Sequence, residues 1–246
     1  FIIVAIVIVV YVILIYFLFP NVRTIVSGEI VPNSFLLSCT ESEVERGINL
    51  LSKQGGYSNP EGFIWHNGEK VKYLCYTSQF YIPCNVQQPL LKRHYQQELN
   101  DMIKAKAQEC VQELKQQYQS RGYQVSGGDS VNSNVEIVLN SINIKIDSPM
   151  TVTKGDSTRN FEDFRLVIPS KMYSLLMTSM SIIDYESTYG DSETTLYMAY
   201  YPNLKIQKTK LGDGSKIYTV SDVVTKESFT FASRSLAWPP GYGLTA

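Results

Sequence analysis

The spacing of hydrophobic and polar positions changes character along the chain. Residues 1–19, FIIVAIVIVVYVILIYFLF, carry no charge, no glycine and no proline. A helix apolar on every face must be buried on every face. At about 1.5 Å per residue this one would span roughly 28 Å, close to the hydrocarbon thickness of a bilayer. Pro20 stops or kinks the run, and Asn21 and Arg23 follow. Residues 21–33 read as an extended connector that Pro32 ends. Leu37, Val44, Ile48 and Leu51 then recur at helical spacing, with Ser34 as cap and Gly55-Gly56 as exit, which predicts a helix over 34–53. Residues 57–88 are irregular and aromatic, with Asn67-Gly68 as a hairpin turn between FIWH and VKYLCY. Pro89 opens a second helix, to Ser120, with Leu91, Tyr95, Leu99, Met102, Cys110 and Leu114 along one face.

Past residue 122 the period shortens to two. VEIVLNSINIKID folds about Asn140-Ser141, so that Val135, Ile137 and Leu139 face Ile146, Ile144 and Ile142, and Glu136 meets Lys145. Pro149 breaks that run, and MTVTKGD and FRLVIPS follow as shorter strands. Ser170 caps a third helix over KMYSLLMTSMSIIDYES. The stretch from TLYMAYYP to FASRS reads as strand-rich, with turns at GDGS and Lys226-Glu227. The expected fold is therefore α+β, an N-terminal all-apolar helix followed by a head of long helices and mostly antiparallel sheet. Its parts are an assembly or membrane helix at 1–20, a connector at 21–33 and an extracellular head at 34–246. The head divides into a helical part, 34–122, and a β-rich part, 123–246. The tail LAWPPGYGLTA reads as a linker or a contact arm carrying Trp238, Pro239, Pro240 and Tyr242.

Four readings compete for the opening run: a signal peptide, a buried core helix, a single membrane span, and a helix that leaves the membrane to pack with copies of itself. A signal peptide has a shorter apolar region, and a core helix rarely lacks polar residues for five turns. The packing face would comprise Phe1, Ile2, Ile3, Val4, Ile6, Ile8 and Val9, continued by Tyr11, Val12, Ile15, Tyr16 and Phe19, with Pro20 as its end.

Composition narrows the partners. The 246 residues hold 22 basic and 23 acidic side chains, for a net charge of −1, so nothing in the charge balance points to nucleic acid. Tyrosine is abundant, at 17, which suits rigid amphipathic protein contacts. The cysteines are Cys39, Cys75, Cys84 and Cys110; none forms a CxxC pair. An even number beside an export or membrane segment reads as two disulfides in an oxidising compartment. Of three connectivities, Cys39–Cys110 would join two helices and Cys75–Cys84 would close a short loop; buried free thiols are the alternative.

Catalytic motifs are absent: no GxSxG, no P-loop, no HExxH, and only two histidines. His94, among Lys92, Arg93 and Tyr95, reads as a solvated helix residue, and His66 as a turn neighbour. Glu41, Glu43 and Glu45 fit a helix's first turns. The Lys154-Gly155-Asp156 and Gly212-Asp213-Gly214 turns could offer oxygens to calcium but lack the twelve-residue EF-hand pattern. No cofactor, metal or enzymatic activity is expected.

The run Phe1–Phe19 followed by Pro20 resembles the start of type IV pilin-like filament subunits, archaeal ones in particular. That resemblance implies removal of a short basic leader ahead of Phe1, a membrane-inserted precursor, and helices bundled in a filament core with heads outside. Bacterial members carry glutamate at the fifth position, where this chain has Ala5. The segments GDSTRNFEDFRLVIPSKMYSLL and Gly55-Gly56-Tyr57 are similar to uncharacterised archaeal envelope proteins. Two functions are expected from this. One is a structural subunit of an extracellular filament, a homo-oligomer. The other is a single-span surface protein whose head binds a partner through LYMAYYP or LAWPPGYG.

Overall fold

A computed structural model describes residues 30–237. The apolar run to Phe19, Pro20, most of the connector and the contact-arm residues from Trp238 onward lie outside the described residues. The chain folds as α1 (Pro32–Lys53), β1 (Phe63–His66), β2 (Glu69–Tyr76), β3 (Asn85–Val86), α2 (Leu91–Ser120), β4 (Gln124–Gly127) and β5 (Asn132–Val138). It continues as β6 (Ser141–Lys154), β7 (Ser157–Pro169), α3 (Met172–Tyr189), α4 (Thr195–Tyr200), β8 (Leu204–Lys210), β9 (Ser215–Asp222) and β10 (Ser228–Arg234).

The expected fold class needs correction. Among the described residues no helix is long and apolar enough to cross a membrane. Nor is the head a body of long helices over one sheet. It is α+β, with helices of 22, 30, 18 and 6 residues and two separate sheets. The larger sheet runs β1-β2-β10-β9-β8, with β3 also on β2; the smaller pairs β6 with β7 along one side and with β5 and β4 along the other. One pairing is parallel, β10 on β2. It joins strands on either side of the whole central chain, and hydrophobic period carries no trace of such a partner.

Local chemistry explains most boundaries. Pro32, expected to end the connector, instead starts α1 at a position where its missing N–H is not needed. The exit of α1 closes with the Gly56 N–H donating to the Leu51 carbonyl at 2.8 Å. Leu91, Tyr95, Leu99, Ile103, Ala107 and Val111 form the buried stripe of α2, one helical turn apart. Asn67 and Gly68, both at positive φ, make the two-residue turn that sets His66 opposite Glu69.

Three expectations in the β-rich half fail. The β5–β6 hairpin turns at Leu139-Asn140, not Asn140-Ser141, so Val135 pairs with Ile144, Ile137 with Ile142, and Glu136 with Asn143. Asn140 takes φ 66°, the left-handed value an asparagine tolerates, and Leu139 is left exposed. A two-residue slip keeps every side chain on its face, so the inward set survives the error. Pro149 does not end the strand: β6 runs 14 residues and absorbs the proline in an irregularity between Asp147 and Met150. TLYMAY is a helix, α4, rather than a strand, and its Met198 Sγ meets the Ile206 N–H at the edge of β8.

The hydrophobic core runs continuously from α1 and α2 through both sheets to α3. Cys39–Cys110 ties α1 to α2, and Cys75–Cys84 closes the loop after β2. Two disulfides are the mark of an oxidising, extracellular or secreted setting.

Candidate functional surface

The densest polar chemistry lies where the end of α3 meets β9 and β10. Glu186 is wholly buried. Its carboxylate takes Lys216 Nζ at 2.7 Å, the Ser233 hydroxyl at 2.8 Å, the Ser192 N–H at 3.0 Å and the Tyr218 hydroxyl. Lys216 also donates to the Gly190 carbonyl at 2.5 Å and to Asp191 at 3.0 Å. Burial works to raise the Asp191 carboxyl, but hydrogen bonds from Lys208 and Lys216 overcome it and hold the pKa at about 2. Burial, with the Glu186 charge beside it, pushes the Tyr218 phenol far up. Lysine, tyrosine, serine and a carboxylate together could move protons, but Glu186, Tyr218 and Ser233 are closed to solvent. The arrangement is a satisfied ionic knot, and its work is to fix the end of α3 on the sheet.

The knot continues into the Cys75–Cys84 loop. Ser235 Oγ donates to the Glu186 carbonyl at 2.6 Å and accepts the Cys84 N–H at 2.9 Å. Arg234 donates to the carbonyls of Asp213 and Thr77 and covers the Phe80 ring at 5.3 Å. The loop so held leaves Phe80, Tyr81 and Ile82 exposed. Tyr81 and Leu236, at φ 66° and 43°, bridge the loop to the last described strand through Tyr81 N–H to Ala237 O and Leu236 N–H to Ile82 O. Chain exit and disulfide loop thus share one end of the head.

At the other end a cleft of about 520 Å³ opens between α3 and α4. Tyr173, Met177 and Ser181 line it from α3, each a helical turn apart; Tyr197 and Tyr201 line it from α4 and its exit. The Ser181 and Tyr197 hydroxyls lie 2.7 Å apart and pin α4 to α3. Lys92 Nζ stands 5.5 Å over the outer Tyr173 ring. Asp222 forms the rim; hydrogen bonds from the Thr225 and Val224 N–H groups hold its carboxyl below the usual range against the effect of burial. Around this cleft and along α3 the surface is aromatic: Tyr185, Tyr189, Leu196, Tyr200 and Tyr201 are all exposed, Tyr200 at 79%.

The sequence motifs fall in different places. Cys39, Cys110, Cys75 and Cys84 are brought together in pairs. His94 is not a solvated helix residue: it stacks on Tyr57 with centroids 4.0 Å apart, and burial lowers its pKa against the pull of Glu98. The Asp213 carboxylate is taken by the Ser215 N–H and hydroxyl, both at 2.9 Å, as a turn lock. Among the described residues no group of three or more His, Cys, Asp or Glu could hold a metal. LYMAYYP was legible as a contact stretch from its tyrosines; its helical form, and the ionic knot drawn from four distant segments, were not. Comparison with family models, curated proteins and solved structures yields no match.

Proposed function

We propose that the chain is an extracellular surface protein that acts by contact rather than catalysis. Its disulfide-tied head would present the tyrosine surface of α3 and α4 to another protein, and apolar residues 1–19 would attach or assemble it. The observation that carries this reading is the exposure of Tyr185, Tyr189, Leu196, Tyr200 and Tyr201 on a head whose other large apolar side chains fill one core. Tyrosine gives large, stiff contact area with a polar tip, and an aromatic surface of this kind marks an interaction site.

A second reading is favoured by the opening run: a subunit of a pilin-like filament, with residues 1–19 inside and heads outside. Burial of apolar surface at about 25 cal/mol per Å² would make such assembly effectively permanent in water. Electron microscopy of the surface fraction sheared from cells without detergent separates the two, with the chain identified by mass spectrometry. Regular filaments built mainly of this chain establish the second reading. Recovery only in detergent-extracted membranes rejects the filament and leaves the surface-contact protein; recovery only from the soluble cell interior rejects both.

A further inference from the structure

We infer that the cleft between α3 and α4 receives the Trp238-Pro239-Pro240 segment of a second copy of this chain. The inference rests on the contact reading above and names its partner.

The cleft fits such a segment chemically. Consecutive prolines favour the extended polyproline helix, which binds with little loss of conformational freedom in grooves lined by aromatic rings. Tyr173, Tyr197 and Tyr201 supply those rings, and Met177 supplies an adaptable apolar floor. An indole needs an acceptor when it is buried. Asp222 sits on the rim, and the hydrogen bonds it accepts from Val224 and Thr225 go to a single oxygen, Oδ1. The segment Trp238–Tyr242 carries no charge of its own, so it brings no ion into the cleft.

Geometry decides that the donor is another copy. Ala237 lies against Gly214, where β9 begins: its Cβ is 2.5 Å from the place a Gly214 side chain would start. The cleft lies against Asp222, where β9 ends. The seven steps from Ser215 to Asp222, at about 3.3 Å each, separate them by roughly 23 Å. The path along α3 agrees: Gly190 touches Leu236, and Thr178 lines the cleft twelve residues earlier, about 18 Å away. Trp238 stands one residue beyond Ala237, and three extended residues reach at most about 11 Å. The Trp-Pro-Pro segment therefore cannot reach the cleft of its own chain, whereas a neighbouring head can offer it.

The test uses the full chain in detergent with no other protein present. Trp238 is replaced by p-benzoylphenylalanine, and unlabelled chains are mixed with nitrogen-15-labelled ones before irradiation. The expected result is a crosslink between light and heavy copies, from position 238 to the peptides bearing residues 173–181 or 195–204. Tyr197→Ser with Tyr201→Ser should cut that yield about tenfold, the loss of roughly 1.4 kcal/mol of stacking. Neither of these tyrosines is buried, and circular dichroism with intact disulfides verifies that the variant folds. Crosslinks confined to one copy, crosslinks only elsewhere on the head, no crosslink, or a yield unchanged in the double variant each overturn the inference. Because the experiment needs neither filaments nor a foreign partner, its failure is separate from failure of the surface-contact reading, which microscopy and fractionation decide.

Discussion

At the scale of single residues, the head is governed by a few buried polar groups whose partners arrive from far along the chain. Lys216 and Glu186 neutralise each other at 2.7 Å with almost no solvent. Lys216→Met should destabilise the head by about 3–5 kcal/mol in urea unfolding, because it leaves a buried carboxylate without its cation. Adding Glu186→Leu should recover part of the loss; simple additivity of the two would show that they do not act as a pair. His94 makes a pH prediction. Its folded pKa lies below the ordinary value of 6.5, so the unfolded chain binds the proton more readily. Stability from this group is full above about pH 6.5 and falls as pH drops below it, levelling only beneath the folded value. His94→Gln should flatten that fall in stability measured between pH 7 and 5. None of this was legible beforehand: an isolated histidine between lysine and arginine reads as exposed, and only the fold brings Tyr57 onto its ring.

At the scale of elements, the disulfides and helix ends divide the work. Cys39–Cys110 closes a loop with a sequence separation of 71, and Cys75–Cys84 one of 9. On chain-entropy grounds, replacing the first pair by serine should cost about 4 kcal/mol and the second about 3 kcal/mol. Denaturant midpoints of the two double variants would check the order. Gly190 ends α3 at φ 84°, and a side chain there would start 1.9 Å from Leu236 Cδ1. Gly190→Ala should therefore destabilise by more than the 1–2 kcal/mol of the left-handed backbone alone, about the usual penalty for a residue with a Cβ. At the start of α3, Ser170 accepts the Met172 N–H at 3.1 Å, the role its position suggested. The Glu227 carboxylate that takes the Ser170 hydroxyl and the Lys171 N–H comes from the β9–β10 turn and was not foreseeable.

At the scale of the whole molecule, stability and contact are separated in space. The α4 tyrosines lie outside the core, so Tyr200→Ser and Tyr201→Ser should change unfolding stability by no more than about 0.5 kcal/mol. Analytical ultracentrifugation in detergent should nevertheless detect weaker self-association for Tyr201→Ser, since that ring lines the cleft. A large stability loss with unchanged association would make these tyrosines structural. The long-range pairing of β10 with β2 makes the larger sheet non-local, and non-local sheets form slowly because loops must close before contacts repay them.

The sequence by itself determined what neighbours along the chain determine. The α2 stripe, the Gly55-Gly56 exit, the Asn67-Gly68 turn and the inward faces of β5 and β6 follow from periodicity and backbone preference within a dozen residues. So did the pairing of four cysteines, once two of them lay on helical stripes. The tertiary structure alone decided the parallel β10–β2 pair, the split into two sheets, the helical state of TLYMAY, and the knot around Glu186. Each of these depends on which distant surfaces bury one another, and a local pattern of apolar and polar residues is the same whichever partner completes it.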